Sequence, residues 1–147
     1  MTTFAAFESR GHGDAHGGLI PTGGTALFTI IGSPVVQVVA PSIFNRLFAE
    51  YGHDAVLVAF DLRPGGVGAF FDAMRQTENF RGSFVTVPHK QEAARRMDEL
   101  VSRSAALEVV NMVKRVDGRL VGDMTDGSAS SSPLVHSAWT PRGRASR

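Results

Sequence analysis

Three short runs of β-branched and aromatic residues limit what this chain can become. Residues 26–31 (Ala-Leu-Phe-Thr-Ile-Ile), 55–60 (Ala-Val-Leu-Val-Ala-Phe) and 83–87 (Ser-Phe-Val-Thr-Val) favour a pleated, largely buried backbone. Each is followed by a helical pattern. Residues 41–51 put Ile43, Phe44, Leu47 and Phe48 on one face, with Pro41 in the first turn and Gly52 closing the end. Residues 67–75 turn Phe70, Phe71 and Met74 inward. Residues 88–100 open on Pro88 and space Ala93, Ala94, Met97 and Leu100 helically. Such alternation predicts an α/β fold, a three-layer domain with a mostly parallel sheet flanked by helices.

The rest of the chain fits around that unit. Residues 79–82 read as a loop, and 101–107 as a further helical turn or two. Residues 109–116 and 119–122 read as strands joined by a tight Asp117-Gly118 turn. Residues 1–24 are rich in Gly, Thr, Ala and His without any period, and residues 128–147 are rich in Ser and Arg. Both are expected to be disordered tails around one domain at 25–127.

Composition narrows the function classes. Hydrophobic residues make up 43% of the 147 and charged residues 20%, enough apolar content for a core. A net charge of +1 gives no electrostatic case for nucleic acid or for an anionic membrane. With no cysteine there is neither a disulfide framework nor a thiolate metal site, and no secretory signal opens the chain. A cytoplasmic protein is expected. The apolar region 26–44 is broken by Gly32, Pro34, Gln37 and Pro41, so it does not read as a membrane span. His12 and His16 stand four apart, but the glycines at 11, 13, 17 and 18 argue against a metal-binding helix there. No metal site is expected.

Chemistry concentrates where strands end. His89 and Lys90 sit where a strand hands over to a helix, the place where α/β folds bind ligands. Lys90 there faces the positive end of a helix dipole. Asp126 follows the last predicted strand, in Gly-Asp-Met-Thr-Asp-Gly, and pairs with Lys90 as an acid–base couple if both strand ends share one rim. On local pattern alone Lys90 reads rather as an exposed lysine on a first turn, and Asp126 as an Asp-Gly turn. Asn111 interrupts the apolar run Val-Val-Asn-Met-Val, and a buried amide there bonds either a ligand or a neighbouring loop. The glycine clusters at 11–18 and 65–68 do not lie in the strand–turn–helix setting that a dinucleotide fingerprint requires.

Taken together, residues 26–127 resemble the substrate-binding N-terminal domain of the shikimate dehydrogenase family. The pieces that carry the likeness occur in order: Gly32-Ser33-Pro34-Val35, then Pro41-Ser42-Ile43-Phe44-Asn45, Val85-Thr86-Val87-Pro88-His89-Lys90, Val110-Asn111, Gly118-x-Leu120-x-Gly122 and Thr125-Asp126-Gly127. The resemblance implies reduction of 3-dehydroshikimate to shikimate with NADPH, or quinate chemistry with NAD. It implies Lys90 as the catalytic acid/base and Asp126 as its orienting, substrate-binding partner. Asn111 and Thr86 are implied as hydrogen-bonding partners of the substrate hydroxyls.

The departures are equally informative. The family's first loop usually carries Ser-x-Ser-Pro, whose hydroxyls hold the substrate carboxylate; this chain has Val38-Val39-Ala40-Pro41. Losing one hydrogen bond to a charged group costs about 1.5–3 kcal/mol. The family also continues past Thr-Asp-Gly into a cofactor domain, where this chain runs into serine and arginine, as a frameshift or early stop would leave it. Three expectations follow. The chain is the substrate-binding half of an NADP- or NAD-linked enzyme, without a cofactor site and inactive alone. Alternatively it is a non-catalytic binder of a small acid, or a partner-dependent module. Or it is a degraded gene product. The expected ligand is shikimate, 3-dehydroshikimate or a quinate-like acid, held weakly, with self-association through the uncovered cleft.

Overall fold

A computed structural model describes residues 19–125, so the far tails, His12, His16 and Asp126 lie outside the described residues. The elements are β1 (Ala26–Gly32), α1 (Ala40–Glu50), β2 (Ala55–Asp61), α2 (Val67–Arg75), β3 (Phe80–Val85), α3 (Lys90–Arg95), β4 (Glu99–Leu100), α4 (Ser102–Leu107), β5 (Met112–Val116) and β6 (Arg119–Asp123). They form one six-stranded sheet in the order β2-β1-β3-β5-β6-β4. β1 pairs in parallel with β2 and β3, and β4 with β6, whereas β5 runs antiparallel to β3 and β6. The expected three-layer α/β domain is therefore present, with an antiparallel hairpin built into its sheet.

The period-2 alternation of β1 divides the core. Ile31 and Leu27 face α2 and α3, in a cluster with Val67, Phe71, Phe80, Val85, Ala93 and Leu120. Ala26 and Phe28 face α1, where Phe48 and Leu57 are buried and Phe44 packs alongside. Aromatic contacts continue on both sides: Phe70 meets Phe71 edge-on at 5.2 Å, and Phe28 stacks on Phe48 at 5.7 Å. α1 also bonds directly to the β2 backbone. Asn45 donates Nδ2 to the Leu57 carbonyl at 2.9 Å and accepts the Leu57 amide at 2.7 Å. That pair occupies backbone groups of an edge strand that would otherwise be open to pairing.

Three expected boundaries move, each because a distant partner outweighs a local pattern. The helix expected to reach Leu100 stops at Arg95. Met97 and Leu100 still reach the core, but from a turn and a short strand. Asp98 donates its amide to the Leu120 carbonyl at 2.9 Å, and Val101 donates to Gly122 at 3.0 Å. The sheet thus captures a segment with helical periodicity. Residues 80–82, expected as loop, belong to β3, where a Cβ on Gly82 would sit 2.6 Å from the Val113 carbonyl oxygen. Glycine lets β3 and β5 approach there. β5 begins at Met112 rather than 109; the Val110 amide before it turns to the Lys90 carbonyl of α3, and the Asn111 amide to the Asp123 carbonyl.

Asp98 fastens this rearranged corner. Its Oδ2 accepts the Leu120 amide at 2.7 Å and Arg75 Nε at 3.2 Å. The Leu120 amide, seconded by the Arg75 guanidinium, holds the carboxyl below its ordinary value near 3.8 despite the opposing effect of burial. A carboxylate with a depressed folded-state value stabilises above its unfolded value, and that stability is lost as pH falls through the folded value. Asp98→Asn is therefore expected to cost about 1 kcal/mol at neutral pH, since the partly exposed pair is screened. The deficit should shrink as pH drops below 4. Urea unfolding at neutral and acidic pH checks this, and an equal deficit at both would contradict the assignment.

Candidate active-site rim

The parallel strands β1 and β3 end on the same edge of the sheet, and the chain enters β5 and leaves β6 there. Main-chain bonds fix the order along that edge. The Thr86 amide donates to the Ile31 carbonyl at 2.9 Å, Val85 donates to Asn111 at 2.9 Å, and Asn111 donates to Asp123 at 3.0 Å. The ends of four strands are thus laced together. The rim needs no long-range luck from side chains, because the ladder itself carries Thr86 and Asn111 side by side.

Lys90 joins them through its backbone. Its carbonyl accepts the Val110 amide at 3.0 Å, which brings the first turn of α3 against the residue before Asn111. Lys90 is half-buried, as are Thr86 and Asn111. Of the four residues singled out in the sequence, three therefore meet on one edge. Asp126 lies just past the last described residue, Thr125. The Asn111 side chain holds that exit: its Oδ1 accepts both the Thr125 amide at 2.8 Å and the Thr125 hydroxyl at 3.2 Å. The carbonyl half of the amide thus bonds a neighbouring loop, one of the two alternatives open from sequence.

His89, placed at the same junction by the sequence but given no role there, turns out to be structural. It is only 2% exposed. Its Nε2 stands 2.8 Å from the Leu62 carbonyl oxygen, and since a carbonyl only accepts, Nε2 carries the proton. Leu62 in turn donates its amide to Gly32 at 3.0 Å, and Ser33 donates to Val87 at 3.1 Å. The three turns that follow β1, β2 and β3 are thereby tied together around an imidazole. No local signal announces this, because the partner carbonyl is 27 residues away.

The described residues do not fit a nicotinamide dinucleotide. Glycines precede a helix only at the β2–α2 turn. There the Gly66 amide donates to the Arg63 carbonyl at 2.9 Å, and a Cβ on Gly68 would meet the Arg96 guanidinium at 2.7–3.0 Å. The Gly66 amide is thus taken up within its own turn, and the space beside Gly68, in the first turn of α2, is filled by the Arg96 guanidinium rather than left for a pyrophosphate. Among the described residues there is also no cluster of His, Asp or Glu suited to a metal ion, and no helix long and apolar enough to cross a membrane.

Comparison with known proteins places the fold in a family. The description "Shikimate dehydrogenase substrate binding domain" matches residues 30–113. The shikimate dehydrogenase (NADP(+)) of Moorella thermoacetica is 33% identical over 120 residues, which cover 82% of this chain and 40% of that protein. A crystal structure of a shikimate dehydrogenase in complex with NADP+ superposes with a TM-score of 0.70 at 32% identity, over 75% of this chain and 38% of the other. A shikimate 5-dehydrogenase from Listeria monocytogenes, in complex with shikimate and NAD, gives 0.69 at 32% identity, over 73% and 37%. The chain spans about two fifths of the length of these relatives. Their family is NADP-dependent, and the matched stretch is its substrate-binding portion. By sequence and by fold alike, this chain belongs to the shikimate dehydrogenase substrate-binding domain family.

Proposed function

We propose that the chain is the substrate-binding half of a shikimate dehydrogenase-like oxidoreductase, and that its rim grips the hydroxyl-bearing edge of a small ring compound. The observation that carries this reading is the convergence of Thr86, Lys90 and Asn111 on one strand-end edge, held there by backbone bonds. Thr86 and Asn111 hydrogen-bond ring hydroxyls. Lys90 serves the interconversion of a ring carbonyl and hydroxyl: as an ammonium it gives a proton to the oxygen, and as an amine it takes the proton back in the reverse direction. Asp126 completes the pair as the carboxylate that orients Lys90. Residues 1–147 alone do not turn over substrate on this reading; what supports it is that the matched stretch is the substrate-binding portion of relatives of whose length the chain spans about two fifths.

Two measurements test this. The purified 147-residue chain, given NADPH and 3-dehydroshikimate, is expected to show no turnover above background; a clear rate would overturn the claim of inactivity. Titration with shikimate, followed by amide NMR, is expected to move Thr86, Lys90 and Asn111. Lys90→Met should weaken that response about tenfold or more, as loss of a hydrogen bond from a charged donor does. If neither shikimate nor its uncharged methyl ester disturbs those amides, the rim is not a binding site.

A further inference from the structure

We propose that Thr125 is a positioning residue: its hydroxyl, bonded to Asn111, sets where the neighbouring Asp126 carboxylate meets the rim. The inference rests on the rim being a binding site with Asp126 in it, as proposed above. It starts from how the sheet ends. The β5–β6 ladder runs from Val116 opposite Arg119 to Met112 opposite Asp123. Past that pair the chain leaves β6 through Met124 and Thr125, and side chains take over from the ladder. Asp123 Oδ1 accepts the Met124 amide at 2.7 Å. Asn111 Oδ1 accepts the Thr125 amide at 2.8 Å and the Thr125 hydroxyl at 3.2 Å.

The second of those Thr125 bonds is not needed to continue the sheet. A backbone amide needs one acceptor, and Asn111 Oδ1 supplies it. The hydroxyl goes to the same oxygen, and an amide oxygen has two lone pairs, so Thr125 occupies both. A single bond leaves the peptide free to swing about it. A second bond from the side chain of the same residue fixes its rotamer and limits that swing. Asn111 is itself firmly placed. Its amide donates to Asp123 at 3.0 Å, its carbonyl accepts the Val85 amide at 2.9 Å, and Val110 before it donates to Lys90 at 3.0 Å. Thr125 is thus tied to the same backbone that carries Thr86 and Lys90. Half-burial of Thr125 shields the bond from water in part. Consecutive Cα atoms lie about 3.8 Å apart, so whatever holds Thr125 limits where the next residue's carboxylate can go.

Amide NMR titration of the 147-residue chain and its variants with shikimate, followed at Thr86, Lys90 and Asn111, tests this. Thr125→Val keeps the shape and the amide but removes the hydroxyl, and is expected to weaken binding about threefold to tenfold. Thr125→Ser keeps the hydroxyl and is expected to bind within about twofold of wild type. Asp126→Asn is expected to weaken binding about tenfold or more. Thr125→Val/Asp126→Asn should lose no more than Asp126→Asn alone, because the hydroxyl acts through the carboxylate. Losses that multiply in the double variant would overturn the proposal while leaving the binding site standing, as would Thr125→Val or Asp126→Asn binding like wild type. A Thr125→Ser variant as weak as Thr125→Val would also overturn it, since the methyl group would then be what counts. The urea midpoint of Thr125→Val is expected to stay near that of wild type; a fall in step with the affinity would make the residue merely structural and remove the positioning role. No response of the wild-type amides to shikimate would remove the site itself, and the proposal with it.

Discussion

Phe71→Ala is expected to cost the folded domain about 3–5 kcal/mol, the usual range for emptying a fully buried phenylalanine site. Phe71 has no exposed surface and stands in the cluster with Ile31, Val67, Phe80, Val85 and Leu120. Those residues come from β1, α2, β3 and β6, so the ring touches the packing of both the parallel and the antiparallel half of the sheet. Its neighbours have little freedom to collapse into the gap. Phe70 is fixed edge-on against it at 5.2 Å and against Phe60 at 5.3 Å. For a domain whose total stability is about 5–15 kcal/mol, the loss consumes a large fraction of the margin. Urea unfolding followed by circular dichroism reads it directly. A midpoint close to that of the wild-type chain would show that α2 is not anchored through this ring.

The same residue shows what local pattern delivers and what it does not. Phe70, Phe71 and Met74 announced α2 because helical spacing is a property of neighbours, and the run at 26–31 announced β1 for the same reason. The sheet order was not legible in that way. β4 arises because Asp98 and Val101 bond to Leu120 and Gly122, some twenty residues on, and Gly82 turned from expected loop into strand because of the Val113 carbonyl. Register across a sheet is written in pairs of distant residues. For the rim, a strand-end position was enough to single out Lys90, and an amide within an apolar run was enough to single out Asn111. Their assembly beside Thr86 depends on main-chain bonds between β1, β3, β5 and β6 that no spacing rule contains. The loss of loop hydroxyls at Val38 and Ala40 was legible only against the family pattern; the structure adds that Gln37 and Ser42 do not substitute for them.

His89→Ala is the change expected to connect fold and site most visibly, at a cost of about 2–4 kcal/mol. Part of that is a cavity where a fully enclosed ring stood, and part is the Leu62 carbonyl left without its 2.8 Å donor. The consequence reaches the rim because His89 is also the hinge of the turn. Its amide donates to the Thr86 carbonyl at 3.0 Å, and its carbonyl accepts the Ala93 amide at 2.8 Å. Releasing the imidazole therefore loosens Thr86 on one side and the first turn of α3, with Lys90, on the other. His89→Gln retains a side-chain N–H that reaches toward Leu62 and is expected to recover about half of the lost stability. The discriminating measurement is amide NMR on both variants. In His89→Ala the shifts should concentrate at Leu62, Thr86 and Lys90, and in His89→Gln they should be smaller at the same positions. Stability lost with the Thr86 and Lys90 amides unmoved would mean that the imidazole fills space and does not hold the turn. Concentrated shifts would mean that the lysine owes its place to a buried neighbour bonded to the next loop. The strand-to-helix junction that makes Lys90 conspicuous in the sequence would then be one of two anchors, the other supplied by β2.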